Sequence, residues 1–398
     1  MGRLIERRRN DALAPGSVVG IIGGGQLGRM TAIAATRLGF KTAVLSPRSD
    51  DPAVSVAHHH IQSEYTELTG LSELAGRADV VTYELEQLPL EALHGLSKLV
   101  PVAPGCRVLE IAQDRIREKT FLTTNGIPTA PWSAVRRRDE LLPTLAAIGR
   151  SAVLKVAYGG YDGKGQAMID DGATDAEVLA IWDRLSAGAE MTAVVEEKLN
   201  FDCELSVLVA RDTGGNKVVY DPTFNIHKNH ILDTSLVPAP VAPGIAQDAQ
   251  AIGFELADGL DLVGVLCLEL FLMPSGELFA NEIAPRPHNS GHWTLDASYT
   301  DQFEQLVRAI CGLPLGDPGR FADARMQNII GAEAADVGRY VEIGNAKLHL
   351  YGKAEARPGR KMGHVTFLGG LSAGGGADIM SKKPGRQNDP APVFGVNG

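Results

Sequence analysis

The chain has 398 residues, 44% of them hydrophobic, enough for two or three domains with cores of their own. Its 38 Lys and Arg against 48 Asp and Glu leave a formal net charge of −10, which disfavours a nucleic-acid backbone as partner. Cys106, Cys203, Cys267 and Cys311 lie far apart with no C-x-x-C, which excludes zinc ribbons and a disulfide framework and suits a reducing, cytoplasmic setting, while no apolar run approaches the roughly 20 residues of a membrane span.

Residues 1–16 carry Arg3, Arg7, Arg8 and Arg9 without an apolar stretch and are expected to be a disordered extension, not a secretory signal. From Ser17 the pattern reads strand Val18–Ile22, helix Gln26–Leu38 and strand Lys41–Leu45, a βαβ unit whose helix should bury Leu27, Met30, Ile33, Ala34 and Leu38. A helix near Thr66–Ala75, a strand at Asp79–Tyr83, a helix at Leu88–Leu96 and a strand at Leu99–Ala103 complete a doubly wound α/β domain over 17–104. After Pro104-Gly105 one helix is predicted for Cys106–Asn125. The chain then turns α+β, with strands at Ser151–Val156, Gly165–Ile169, Thr192–Glu197, Glu204–Ala210 and Lys217–Tyr220, and a helix at Asp175–Leu185. A helix at Ala246–Leu260, a strand at Val263–Leu272, a turn at Pro274-Ser275-Gly276, a strand at Glu277–Ile283 and a helix at Tyr299–Cys311 follow. The second domain is thus expected over 105–325, with a lid subdomain at about 151–197, then a small β-rich domain over 326–370 and a flexible tail over 371–398.

Three clusters carry candidate chemistry. Gly23-Gly24-Gly25-Gln26-Leu27-Gly28 fits G-x-G-x-x-G between strand and helix, where free amides favour an anion. The second strand ends in Ser46-Pro47 with no acidic residue to hold a ribose, which lowers the case for NAD; Arg48 keeps NADP open, and a purely structural tight turn is the alternative. Tyr158 to Gly165 is a second glycine-rich loop joining two predicted strands, suited to backbone approach to a polyphosphate. Lys155 precedes it at the end of an apolar strand, where a buried ammonium needs an anion, and a nucleotide phosphate is the economical one. If the turn after Leu272 is centred between Ser275 and Gly276, Glu269 faces Glu282 across a hairpin; a centre on Ser275 puts Asn281 there instead. Facing buried carboxylates call for a divalent cation such as Mg²⁺, with an arginine partner, Arg286, as the structural alternative. Adjacent His58-His59-His60 point to alternate faces of a strand and read as a surface strand end, not a metal site.

The order of motifs resembles the ATP-grasp superfamily, and more closely the N5-carboxyaminoimidazole ribonucleotide synthetases of purine biosynthesis, from about Ser17 to Leu368. The resemblance rests on Gly-Gly-Gly-Gln-Leu-Gly at 23–28, Thr-Tyr-Glu-Leu-Glu at 82–86, Gln-Asp-Arg at 113–115 and Gly-Gly-Tyr-Asp-Gly-Lys-Gly at 159–165. Asn-Glu-Ile-Ala-Pro-Arg-Pro-His-Asn-Ser-Gly-His at 281–292 and Arg-Pro-Gly-Arg-Lys-Met-Gly-His at 357–364 complete it. It implies an ATP-grasp fold between an N-terminal doubly wound (pre-ATP-grasp) domain and the C-terminal β-rich domain. It also implies a cytoplasmic homodimer that uses ATP and bicarbonate to carboxylate 5-aminoimidazole ribonucleotide. By the family pattern ATP falls to Arg115, Lys155, the loop Gly160, Tyr161, Asp162, Gly163, Lys164, Gly165 and Gln166, the adenine hinge Glu196, Glu197, Lys198 and Leu199, then Glu204, His227, Asn281 and Glu282. Mg²⁺ falls to Glu269 and Glu282. The ribonucleotide falls to Gln26, Leu27, Glu84, Tyr161, Asn289, Lys353, Arg360 and Lys361, and the catalytic roles to Tyr161, Asp162, Lys164 and Arg286. Lys164 stands where relatives often have Arg, keeping the charge without a bidentate grip. Two competing readings are a formate-dependent transformylase of the same fold, where Asp is expected in place of Asn289, and an NADP-dependent oxidoreductase, which leaves Lys155, Glu269 and Glu282 unexplained.

Overall fold

The computed structural model describes residues 12–160 and 165–369. Its strands fall into three sheets in chain order. The first holds β1 (Val18–Ile22), β2 (Lys41–Ser46), β3 (His59–Gln62) and β4 (Val80–Tyr83), parallel in the order β3-β2-β1-β4. Apart from β3, which has one buried residue, these strands are almost wholly buried, as parallel strands covered on both faces are. The helix Gln26–Arg37 packs Leu27, Met30 and Ala34 inward, but Ile33, expected on the same face, is 40% exposed. The strand expected at Leu99–Ala103 shrinks to a single parallel bridge between Val81 and Val102, because Pro101 has no N–H to give a ladder. β3 begins within the histidine run, and His60 Nε2 lies 3.1 Å from the Ser46 carbonyl, which accords with a strand end.

The single helix expected over Cys106–Asn125 is two, Cys106–Ala112 and Arg115–Thr124. Asp114 breaks it: its carboxylate accepts from the amides of Ile116 and Arg117 and caps the second helix. Arg115 thereby becomes the first residue of a new helix instead of a mid-helix residue.

The second sheet holds β5 (Trp132–Val135), β6 (Ala152–Val156), β7 (Gln166–Ile169) and β8 (Ala193–Glu197), antiparallel in the order β5-β8-β6-β7. The helices Leu141–Ile148 and Asp175–Ser186 bury Leu141, Leu145, Val178 and Trp182 against it. The third sheet has nine strands: β9 (Cys203–Arg211), β10 (Lys217–Val219), β11 (Thr223–Lys228), β12 (Ile231–Val237), β13 (Gly264–Leu272), β14 (Leu278–Ala284), β15 (Ala324–Ile330), β16 (Ala346–Leu350) and β17 (Lys361–Leu368). Their order is β14-β13-β9-β11-β12-β15-β17-β16, with β10 on β9. Sequence periodicity misses the β11–β12 hairpin, whose turn residues Asn229 and His230 both take positive φ without a glycine to mark them. The C-terminal β-rich domain does not form a separate sheet, because β15 pairs with β12 and continues the central one.

Candidate active site

The β13–β14 hairpin lies at the edge of the nine-stranded sheet, and its register decides the site. Leu272 pairs with Leu278, Phe271 with Phe279 and Leu270 with Ala280, the set expected for a turn centred on Ser275. The register then shifts by one residue and Glu269 faces Glu282. Asn281 is the extra residue, a β-bulge, so the predicted pairing of the two glutamates arises from the bulge and not from the turn. Burial first, and then the adjacent Glu282, push the Glu269 carboxyl up to about 8. Burial also works against the Glu282 carboxylate, yet Arg115 and then Lys155 outweigh it and hold its pKa below the ordinary value.

Cations converge on this pair. Arg115 Nη2 donates to Glu282 Oε2 at 3.1 Å. Lys155 Nζ, at the end of β6, donates to Glu196 Oε2 at 3.0 Å and to Asn281 Oδ1 at 3.2 Å. The anion that stabilises Lys155 here is thus a protein carboxylate, where the sequence suggested a phosphate. Glu196 is buried and also lies 3.4 Å from Lys119 Nζ; these ammonium groups overcome its burial and lower its pKa. Its side chain therefore faces the cations, while Glu197 and Lys198 next to it are exposed, Lys198 pairing with Asp170, and Leu199 is half-buried. Glu204 lies 2.6 Å from His227 Nδ1; burial would lower that imidazole's pKa, but the carboxylate raises it. His288 Nε2 is 3.4 Å from Glu269. Arg286, the arginine expected as an alternative partner for the glutamates, instead meets Glu86 at 2.8 Å. The arginine on the pair is Arg115.

The first glycine turn already has its anion. Glu84 accepts hydrogen bonds from the amides of Gly25 and, at 2.6 Å, Gly28, and burial raises its pKa despite them. Gly23 sits at φ +119°, and a Cβ there would lie 2.3 Å from Glu84 Cγ, so glycine is required by contact as well as by backbone. These amides hold the chain's own carboxylate, which removes the basis of the NADP reading; Arg48 pairs with Asp50 at the surface. Gln26 is half-buried beside the turn, but Leu27, assigned to the ribonucleotide, has its side chain in the hydrophobic core.

The basic C-terminal segment approaches from the other side. Lys353 Nζ donates to the Lys361 carbonyl at 2.7 Å and acts electrostatically on Glu84, while Lys361 acts on Glu269, His227 and His288. Arg360 donates to the Glu355 carbonyl at 3.0 Å. The Asn289 amide is buried and exchanges two hydrogen bonds with Asn328, at 2.9 and 2.7 Å. On the second glycine loop, the Gly165 carbonyl accepts from Val156 N at 2.8 Å, Gln166 pairs with Lys155 across β6–β7, and Gly160 is half-buried. Tyr161, Asp162, Gly163 and Lys164 lie outside the described residues, as do most of the N-terminal extension and the tail. Sequence reasoning missed Glu118 and Lys119, buried on the helix Arg115–Thr124; charged residues among Ile116, Phe121 and Leu122 were the available signal.

A second group, Asp296, His349 and His364, has ligand atoms within 4.8 Å of one another. The two imidazoles are stacked, 4.5 Å apart and 12° from parallel, so their nitrogen lone pairs run in nearly parallel planes and do not converge on a common nearby point. His349 contacts Asp296 and His364 contacts the Tyr351 hydroxyl, each at 2.9 Å, which fits a structural clasp between β16–β17 and the preceding domain.

Comparison with known proteins places the chain in a family. The ribonucleotide synthetase preATP-grasp domain model matches residues 17–113, the ATP-grasp domain model 120–303, and the phosphoribosylaminoimidazole carboxylase C-terminal domain model 324–372. The N5-carboxyaminoimidazole ribonucleotide synthase of Brucella melitensis is 46% identical over 357 residues, covering 90% of this chain and 98% of the relative. That of Bacillus subtilis is 44% identical over 355 residues, covering 89% and 92%. Among solved structures, the Staphylococcus aureus N5-carboxyaminoimidazole synthetase complexed with ADP superposes with a TM-score of 0.87 at 32% identity, covering 94% of this chain and 99% of that one. The Aspergillus clavatus synthase in complex with ADP and 5-aminoimidazole ribonucleotide gives 0.83 at 28%, covering 92% and 99%. With the three domain models matched and relatives 46% and 44% identical to it, the chain belongs to the N5-carboxyaminoimidazole ribonucleotide synthase family of ATP-grasp enzymes.

Proposed function

We propose that the chain carboxylates the exocyclic amine of 5-aminoimidazole ribonucleotide with ATP and bicarbonate, releasing ADP and phosphate, as a step of purine biosynthesis. Membership of the family supports this reading, and one observation carries it: Glu269 faces Glu282 beside Arg115 and Lys155. Bicarbonate is a poor electrophile because hydroxide is its leaving group, and transfer of the γ-phosphoryl group to it gives carboxyphosphate, which the amine attacks with loss of phosphate. The transferred group carries negative charge throughout, so the site must supply positive charge. Arg115 and Lys155 do so directly, and Glu196 stabilises the Lys155 ammonium until a phosphate arrives. The raised Glu269 carboxyl beside an ionised Glu282 is the donor set a hard divalent cation fits. Mg²⁺ held by Glu269 and Glu282 would add the charge neutralisation that phosphoryl transfer requires.

Arg286, paired with Glu86, and His288, beside Glu269, are assigned to the carboxyphosphate. Glu84, Gln26, Asn289, Lys353, Arg360 and Lys361 are assigned to the ribonucleotide, with Glu204, His227 and the segment Glu196–Leu199 on the nucleoside of ATP. Tyr161, Asp162 and Lys164 are assigned on the family pattern alone, Asp162 to positioning or deprotonating the amine. A cytoplasmic homodimer is proposed on the same pattern; among the described residues no helix is long and apolar enough to cross a membrane. The test is ADP release. It should require 5-aminoimidazole ribonucleotide and bicarbonate together, formate should not replace bicarbonate, and NADPH absorbance should stay constant; ADP release with formate alone would transfer the chain to the transformylase reading.

A further inference from the structure

The bulge that sets Glu282 opposite Glu269 lies on an edge strand, whose outer side pairs among the described residues through an isolated bridge of Ala280 with Thr129, the Ala280 amide donating to the Pro128 carbonyl at 2.7 Å. In a regular strand consecutive carbonyls point to opposite edges and consecutive side chains to opposite faces. Ala280 and Asn281 break the first rule: both carbonyls accept from Lys119 Nζ, at 3.4 and 2.9 Å. Asn281 and Glu282 break the second, since Asn281 Oδ1 meets Lys155 while Glu282 meets Arg115 in the same site. On the far side of the bulge the Ile283 amide donates to Glu118 Oε1 at 2.5 Å. Two adjacent side chains of one helix thus hold the strand before and after its irregular residue. Both are buried, Glu118 at 1% and Lys119 at 0% exposure, although burying two charges is costly unless they bind specific partners.

We infer that Glu118 and Lys119 are positioning residues that clamp the Asn281 bulge and so fix the register in which Glu282 faces Glu269. The same helix begins with Arg115, so one rigid element sets both the cation on Glu282 and the backbone that presents Glu282. The inference rests on the proposed metal role of the two glutamates. Outer residues that orient metal ligands typically contribute roughly 10- to 100-fold to affinity, and that is the loss expected here.

The test measures Mn²⁺ binding by electron paramagnetic resonance in the presence of ADP, with thermal melting beside it. Wild-type protein should bind Mn²⁺, and Glu282→Gln should abolish that binding. Glu118→Ala should weaken it by roughly 10- to 100-fold at a temperature where the protein is fully folded. Glu118→Gln, which keeps an oxygen for the Ile283 amide, should restore most of it, and Lys119→Met should behave like Glu118→Ala. Should Glu118→Ala not accumulate as folded protein, Glu118→Asp, with the carboxylate drawn back by one methylene, is read in the same assay and should show the same direction. A lowered melting temperature with wild-type Mn²⁺ affinity would mean that the pair merely covers a sheet edge, and would overturn the clamp while leaving the metal pair standing. Wild-type protein that binds no Mn²⁺ would overturn both.

Discussion

Replacing Glu282 by Ala separates the chemistry of the site from its contribution to the fold. The side chain of Glu282 is 39% exposed, so its ion pair with Arg115 is screened and contributes no more than about 1 kcal/mol. The substitution also removes a like charge that raises the pKa values of Glu269 and Glu86, and Arg115 keeps the electrostatic attraction of Glu118 and Glu196. Stability should therefore fall by at most about 1 kcal/mol. Turnover loses a ligand of the cation proposed to neutralise the transferring phosphoryl group, and losing one such electrostatic stabilisation costs roughly 100- to 1,000-fold, or about 3 to 4 kcal/mol. Loss of the whole cation puts the expectation at the upper end of that range. Steady-state ADP release with saturating ribonucleotide and bicarbonate gives the first quantity, and urea unfolding of the metal-free protein the second. Near-normal turnover would refute the assignment of Glu282, and a stability loss as large as the activity loss would mean that the effect is one of folding.

Three further outcomes follow from the geometry. Glu269 has a folded-state pKa of about 8 against an ordinary 4.5, so the folded protein binds the extra proton; its stabilising contribution is fully present below about 4.5 and is lost as pH rises through 8. In chelator, the melting temperature should therefore fall more steeply between pH 5 and 8, taken as approximate limits, in wild type than in Glu269→Gln, and identical slopes would contradict the raised carboxyl. Glu84→Ala leaves the Gly25 and Gly28 amides without their acceptor, which should destabilise the protein by about 1–3 kcal/mol in chemical unfolding and raise the apparent KM for the ribonucleotide; an unchanged midpoint would show that the amides find water instead. Lys353→Ala should mainly raise that same KM in ADP-release kinetics, with kcat little altered, and an unchanged KM would remove Lys353 from the ribonucleotide site.

Glu269 was legible because an acidic residue inside Val265–Phe271 is physically out of place, but hairpin arithmetic names Glu282 as its opposite only for a turn centred between Ser275 and Gly276, whereas the observed turn is centred on Ser275. The bulge was not legible, since nothing local in Asn281 says that the strand slips there; the reason lies in Glu118 and Lys119, more than 160 residues away in sequence. The same distance hid the occupant of the first glycine turn. G-x-G-x-x-G announces an anion at a helix start, but Glu84 is separated from Gly25 by 59 positions. Apolar periodicity ran across Gln113–Asp114 because Val108 of the first short helix and Leu122 of the second pack into one core, and the Asp114 cap that separates the helices has no apolar signal. Arg286 shows the limit of proximity along the chain: four residues from Glu282, it still turns to Glu86.

Crystallography of the protein with ADP, Mg²⁺ and 5-aminoimidazole ribonucleotide reaches the central claim most directly. The account predicts the ion between Glu269 and Glu282, the nucleotide phosphates on Arg115 and Lys155, and the ribonucleotide beside Glu84 and Lys353. Nucleotide bound elsewhere, or the two glutamates turned apart with no ion between them, would contradict it.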